Sequence, residues 1–343
     1  MKKITQIITV VAFMLIIVAL PIAHFAIEDK LVSKRERKEL EQFPVVNKDT
    51  VLSGEFSKNI EEYMLDQFPA RDSLRYFNTL IDKHIFGQKD VNGYYIHDGF
   101  ISKRGEKPNQ KQIDYAIKHL NGIINTYLKD NNCYFAIIPD KEVYAGKESG
   151  FDFINYEQIE KLMLEGLENV KYIPLYDKLE LSDYYYTDTH WRQEKITDVA
   201  KFIISQIDKD VVLPDKYTEN TLTGYYGVLS DQSAFKTEPE NMTYLTNEVI
   251  DGIYMTSSDP GFEGPKKVYQ TQLFFGEGDP YDLFADGAKA TLTLHNPNAN
   301  NDKELIVFRD SFGSSIAPLF AQGYSKVTLI DLRYISSMIL HRS

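Results

Sequence analysis

Glu304-Leu305-Ile306-Val307-Phe308-Arg309-Asp310-Ser311-Phe312-Gly313 runs from an apolar strand directly into a polar turn. A short helix is expected over about 314–320, and Lys326-Val327-Thr328-Leu329-Ile330 reads as the next strand. Short apolar runs bounded by turn residues, alternating with helical stretches, are the pattern of a layered α/β sheet. The same alternation occurs earlier. Ile113, Ile117, Leu120, Ile124 and Leu128 mark one helix face, and Cys133 to Ile138 a buried strand. A helix at 159–167 and a strand at 170–175 repeat the pair, and Ile196, Val199, Ala200, Ile203 and Ile207 give a further helix face. The expected fold is therefore α/β, a layered sheet with flanking helices.

Between about 212 and 300 the helical periodicity stops and Gly, Asn, Thr, Pro and Tyr become frequent. This stretch reads as a β-rich insertion with candidate strands at Gly252 to Met255, Lys267 to Leu273 and Lys289 to Leu294. Insertions between the parts of a site commonly shape specificity.

The N-terminus is of a different kind. Lys2 and Lys3 precede a run from Ile7 to Ile27 without Asp, Glu, Lys or Arg. Such a run can cross the roughly 30 Å hydrocarbon core as a helix. The basic residues place the short N-terminal end in the cytoplasm and the rest of the chain outside. The expectation is a single-pass anchor over 1–28, with a cleaved signal peptide as the alternative. Residues 29–107 are expected to hold a charged helical stalk from Glu28 to Leu40, two helices separated by Pro69, and a hairpin turning at Asp98-Gly99. Residues 108–343 form the expected catalytic domain.

The 343 residues carry a formal net charge of -12, so no basic excess exists to neutralise nucleic-acid phosphates. One cysteine, Cys133, excludes an internal disulfide framework and any multi-cysteine metal site.

Ser311 follows a strand and precedes a helix, which exposes a hydroxyl at a sheet edge and aims a helix N-terminus at developing negative charge. A serine hydroxyl needs a base. Tyr186-Thr187-Asp188-Thr189-His190-Trp191 supplies a His, with an Asp two positions before it to fix the tautomer. The backbone N–H groups of Ser311 and of Phe312 or Gly313 are candidate oxyanion donors. Trp191, Tyr186 and Arg309 are candidate substrate contacts. Each residue also has a plainer reading. Asp310-Ser311 could cap a helix, Asp188 and His190 could ligate a metal without an evident third ligand, and the aromatic residues could pack.

Thr187-Asp188-Thr189-His190-Trp191 with Arg309-Asp310-Ser311-Phe312 downstream resembles the DHHW family, which is related to the alginate O-acetyltransferases with SGNH-hydrolase-like catalytic domains. Phe43-Pro44, Ser53-Gly54-Glu55-Phe56, Phe68-Pro69-Ala70-Arg71, Val91-Asn92-Gly93, Asp98-Gly99 and Ile137-Ile138-Pro139-Asp140-Lys141 follow that family's pattern in order. The resemblance implies a triad of Asp188, His190 and Ser311, in the reverse of the usual SGNH chain order. Thr189 departs from the name-giving motif, and Arg309 stands near where the superfamily has Gly. A little more sequence is expected after the 326–330 strand. The implied activity is acetyl transfer to hydroxyls of an extracellular polysaccharide, without a cofactor or metal. A membrane-bound O-acyltransferase partner is the implied acetyl donor. An esterase with the same triad and a non-catalytic glycan-binding or assembly protein are the alternatives.

Overall fold

The structure, a computed structural model, describes residues 2–33, 38–105, 107–276 and 278–334. By contacts the chain divides into two units, Met1–Val91 with Asp231–Lys236, and Asn92–Ser230 with Thr237–Ser343.

The first unit begins with helix α1 (Lys2–Ala26). Its stretch Ile4–Ala26 is long and apolar enough to cross a membrane or to act as a signal sequence, and its described side chains are almost all exposed. The stalk expected to be helical contains instead a short antiparallel pair, β1 (Val32–Ser33) with β2 (Lys38–Glu39), residues 34–37 lying outside the described ones. Side chains from the next helices hold this pair. The Gln67 amide donates to the carbonyls of Lys30 and Glu41 at 2.9 and 3.0 Å, and Asp66 Oδ2 accepts from Glu41 N–H at 3.1 Å. Helices α2 (Lys48–Ser53), α3 (Glu55–Asp66) and α4 (Arg71–His84) follow. Asn47 caps α2 by accepting from the Asp49 and Thr50 N–H groups, and Gly54 separates α2 from α3 with φ 80°, a left-handed conformation that favours glycine.

The second unit opens with the hairpin β3 (Tyr94–His97) and β4 (Phe100–Lys103), whose turn puts Asp98 and Gly99 at positive φ, the geometry Asp-Gly turns adopt. Next come α5 (Gln110–Tyr127), β5 (Cys133–Phe135), α6 (Glu142–Ser149), α7 (Tyr156–Gly166) and β6 (Val170–Tyr172). β5 and β6 pair in parallel, as the apolar runs predict. After α8 (Thr197–Ile207) the chain forms β7 (Thr218–Tyr225), α9 (Val228–Ser233), β8 (Glu240–Thr246) and α10 (Glu248–Gly252), with β7 and β8 antiparallel. The rest is β9 (Tyr254–Thr256), β10 (Lys266–Lys267), α11 (Thr271–Phe274), β11 (Thr291–His295), β12 (Glu304–Phe308), α12 (Phe312–Phe320) and β13 (Lys326–Ile330).

The largest sheet has the order β10-β9-β11-β13-β12. Only β12 and β13 pair in parallel; α12 crosses between them. Strands from within residues 212–300 thus share a sheet with the strand that ends at the Ser311 turn. The expected strand over 267–273 stops at Lys267. There the backbone turns to pair with 283–285, Gln270 N–H donating to Leu283 O at 2.9 Å and Ala285 N–H to Val268 O at 3.0 Å.

Alternation explains the sheet's inner face. In β11 and β13, Leu292, Leu294, Val327 and Leu329 are buried while the intervening Thr residues are half-buried. Each fully buried aliphatic side chain of this kind stabilises the fold by roughly 1.5–3 kcal/mol. The buried α8 residues Val199, Ala200, Ile203 and Ile204 and the α12 residues Ile316, Ala317, Leu319 and Phe320 belong to the same core, which fixes α12 and the residue before it.

Candidate active site

Residues 184–191 form a loop closed on itself. Tyr184 and Trp191 pair as an isolated bridge, and Tyr185 N–H donates to His190 O at 3.1 Å. The loop's polar backbone is satisfied from far away in sequence. The Lys141 ammonium donates to the carbonyls of Tyr185, Tyr186 and Asp188 at 2.8, 3.1 and 2.6 Å. These contacts use all three of its donors, which is what makes a buried ammonium tolerable. Burial still pulls its pKa down to about 8, against the opposing pull of Asp188, Asp140 and Glu240. From β8, the Glu240 carboxylate accepts from the N–H groups of Tyr186 and Thr187 at 2.9 and 2.7 Å and from the Thr187 hydroxyl. Gly227 lies against the loop so closely that a Cβ there would sit 2.4 Å from the Thr187 backbone and 2.5 Å from Asp188 Cβ. Only glycine fits.

The carboxylate held this way is fully buried. Asp188 Oδ1 lies 2.6 Å from His190 Nδ1 and accepts His190 N–H at 3.0 Å, while Oδ2 accepts Val228 N–H at 2.9 Å. The opposite ring nitrogen, His190 Nε2, is 2.7 Å from Ser311 Oγ. A carboxylate beside Nδ1 fixes the proton there and leaves Nε2 as the acceptor for the serine hydroxyl. Ser311 is half-buried at the end of the β12 corner, directly before α12. With both ring nitrogens engaged, the arrangement suits moving a proton rather than ligating a metal. Elsewhere in this unit, His97, Asp98 and Glu148 bring one ligand atom each within 4.8 Å of one another, with both carboxylates exposed.

Aromatic rings fix the imidazole plane. Tyr281 stacks on His190 at 3.9 Å between centroids and 10° between planes, and Phe312 lies tilted at 4.9 Å. The Tyr281 hydroxyl donates to Ser315 Oγ at 2.8 Å, and Trp191 Nε1 donates to the same oxygen at 2.9 Å. Gln193 Nε2 donates to Ser315 O at 2.6 Å. Fully buried Ser315, one turn beyond Ser311, thereby ties the histidine loop and Tyr281 to the helix that follows Ser311.

Two of the three expected substrate contacts are structural instead. Trp191 is 0% exposed and lies edge-on to Phe312 at 5.4 Å, so it offers a ligand no surface. The Arg309 side chain is 2% exposed, its guanidinium donating to Gly287 O, Asp310 O and Ser314 Oγ. Tyr186 does reach solvent, stacked on Phe100 at 4.2 Å. The oxyanion candidates also differ. Gly313 N–H donates to Asp310 O at 3.2 Å and Phe312 N–H to Asp310 Oδ1 at 3.0 Å, which leaves the Ser311 N–H as the donor without a partner among the described residues. Gly313 is required for another reason: a Cβ there would meet Arg309 Cβ at 2.6 Å.

Lys141, Glu240, Gly227, Tyr281 and Ser315 escape a local reading of the motifs because each acts on a loop or ring tens of positions away. Lys141 carries two visible signals, a lysine after an apolar run and a place in the Ile137-Ile138-Pro139-Asp140-Lys141 stretch that resembles the family's pattern.

No protein-family model matches the chain, and no curated protein matches it in sequence. Solved structures do. Bacillus cereus PatB1 with a sulfonyl adduct aligns with TM-score 0.58 and 18% identity over 73% of this chain and 88% of its own. A DHHW family protein from Eubacterium siraeum aligns with TM-score 0.60 and 19% identity over 72% of this chain and 85% of its own. The O-acetyltransferase domain of Pseudomonas putida AlgJ overlaps only 45% of this chain at TM-score 0.33, too little to bear on the fold. The chain has the α/β fold of the DHHW family protein and of PatB1.

Proposed function

We propose that the chain belongs to the DHHW family and is an extracytoplasmic O-acetyltransferase, moving acetyl groups onto hydroxyls of a cell-surface or secreted polysaccharide through an acyl-enzyme on Ser311. The observation that carries this reading is the 2.7 Å approach of His190 Nε2 to Ser311 Oγ, with Asp188 2.6 Å from the other ring nitrogen. The sulfonyl adduct of PatB1 supports it, because sulfonyl groups bond covalently to activated nucleophiles of this kind.

In the first half-reaction His190 Nε2 takes the Ser311 proton while Oγ attacks the acetyl carbonyl. Asp188 stabilises the imidazolium, and the Ser311 N–H, at the N-terminus of α12, faces the oxyanion. Collapse breaks the bond to the donor's leaving group, which takes the proton from Nε2. A sugar hydroxyl then gives its proton to Nε2 and attacks acetyl-Ser311; collapse returns the proton to Oγ. Water in the sugar's place makes the same site an esterase. The donor is a membrane-bound O-acyltransferase, which fits a chain whose α1 would hold it at the bilayer with the triad outside.

Turnover of p-nitrophenyl acetate by the full-length protein in detergent tests the reading. Ser311→Ala should lower it by on the order of 10³ or more. Retained turnover in that variant contradicts the assignment, and acetate released only to water with every oligosaccharide tried would point to the esterase.

A further inference from the structure

A cavity of about 320 Å³ adjoins the histidine loop, with Lys103, Arg104, Asp140, Glu142, Ile154 and Thr189 in its wall. Its size is at the lower end for small-ligand pockets, room for a single sugar ring. Thr189 stands between Asp188 and His190 in the chain, which puts the cavity wall one residue from the imidazole. The Thr189 hydroxyl lies 3.3 and 3.1 Å from the two oxygens of Asp140 and brings them one proton. A carboxylate has about four acceptor positions. Burial raises the Asp140 pKa against the pull of Lys141 and Thr189, so further donors would stabilise its charged form.

The Tyr156 phenol is pushed up by burial and by the carboxylates of Asp140, Glu142 and Asp310, the last of which precedes Ser311. At the mouth, Arg104 is paired with Asp152 at 2.7 Å, whereas exposed Lys103 has no partner among the described residues. The wall thus offers a carboxylate acceptor, an ammonium donor and the apolar edge of Ile154. A pyranose presents the matching surfaces, hydroxyls around its rim and C–H groups on its face. Lys141 and Arg104 also line the wall, but the Lys141 ammonium is spent on three loop carbonyls and Arg104 is paired with Asp152, so an anionic sugar would meet the carboxylates of Asp140 and Glu142 with only Lys103 to offset them.

We propose that this cavity is the acceptor subsite, holding one uncharged pyranose with Asp140 accepting from its hydroxyls and Lys103 donating to them. The proposal rests on the acyl-transfer reading above.

The test uses full-length protein acetylated by p-nitrophenyl acetate and a panel of methyl pyranosides, with methyl glucuronide and glycerol for comparison. The readout is the ratio of acetyl delivered to acceptor over acetyl lost to water, taken within each preparation so that slower acylation cancels. An uncharged pyranoside should exceed glycerol and the glucuronide. Asp140→Asn should lower its ratio about tenfold and Lys103→Ala, at an exposed site that leaves folding intact, about threefold. Unchanged ratios in both variants, or no uncharged pyranoside exceeding glycerol and the glucuronide, overturn the proposal. Absence of a nitrophenol burst in the wild type is a different failure, that of the acyl-enzyme itself, and the subsite falls with it.

Discussion

The loop at 184–191 and the corner at 308–313 meet across 2.7 Å, yet they are held by different means. On the histidine side, a loop outside the main sheet is fixed by side chains 44 to 54 positions away: the Lys141 ammonium on three carbonyls and the Glu240 carboxylate on two amides. On the serine side, the contacts are mostly local. Asp310 holds Phe312 N–H, Gly313 N–H reaches Asp310 O, and Arg309 folds over Gly313. A base must present one ring nitrogen at a fixed angle, and a loop can do that only if its backbone is pinned from several directions. A nucleophile at the end of a strand inherits its position from the sheet. Damage at a distance should therefore disable the base more readily than the nucleophile.

The proposed triad of Asp188, His190 and Ser311 comes first in magnitude. His190→Ala should lower turnover by on the order of 10⁴ or more, and Asp188→Asn by on the order of 10³ to 10⁴ while leaving the fold intact, checked by steady-state kinetics beside circular dichroism. The remote pin comes next. Lys141→Met leaves three carbonyls without their donor and should cost about 2–4 kcal/mol, lowering the thermal midpoint by roughly 4–8 °C. An unchanged midpoint would show that the loop holds itself.

The pH behaviour of that lysine sharpens the point. Burial lowers its folded-state pKa to about 8 from an ordinary 10.5, so the unfolded chain binds more protons between those values. The contribution of Lys141 to stability accordingly rises as pH climbs through that window. Its neutral amine has only two donors for three carbonyls, so turnover should fall from about pH 8 upward over the same window. Paired activity and melting profiles would reveal the divergence, and Lys141→Arg, which stays charged, should lack the alkaline fall.

The ring stack gives a smaller effect. Tyr281→Leu removes both the stack on His190 and the bond to Ser315, and should lower kcat about tenfold. Tyr281→Phe keeps the ring and should lose about threefold. The smallest effect belongs to the local side: Asp310→Asn keeps an acceptor for Phe312 N–H and, being exposed, should shift stability by no more than about 0.5 kcal/mol.

This contrast also explains what the sequence reveals. α12 and β13 are legible because their burial follows from runs and alternation within a few residues, and β12 because it is an apolar run, although Ile306 in its middle is exposed. The residues at 188, 190 and 311 are singled out by the resemblance of their two motifs to the DHHW pattern, because locally an Asp two positions before a His and a Ser at a strand end each have plainer uses. Their meeting across 121 positions is not legible. Nor is the fate of Trp191, whose residue type suits either a sugar face or a core; its indole N–H reaches Ser315, which decides for the core. The stretch from Glu28 to Leu40 misleads for a related reason. Its charge run suits a helix, but the Gln67 and Asp66 side chains that clamp its two ends lie 25 to 37 residues on.

The most direct measurement is the site of covalent capture. After brief exposure of the full-length protein to p-nitrophenyl acetate and acid quench, intact mass and peptide mapping should show one acetyl group, on Ser311, absent from Ser311→Ala and much reduced in His190→Ala. Equal labelling of the Ser311→Ala protein, or acetyl found only on surface lysines, would contradict an acyl-enzyme at the meeting point of these two segments.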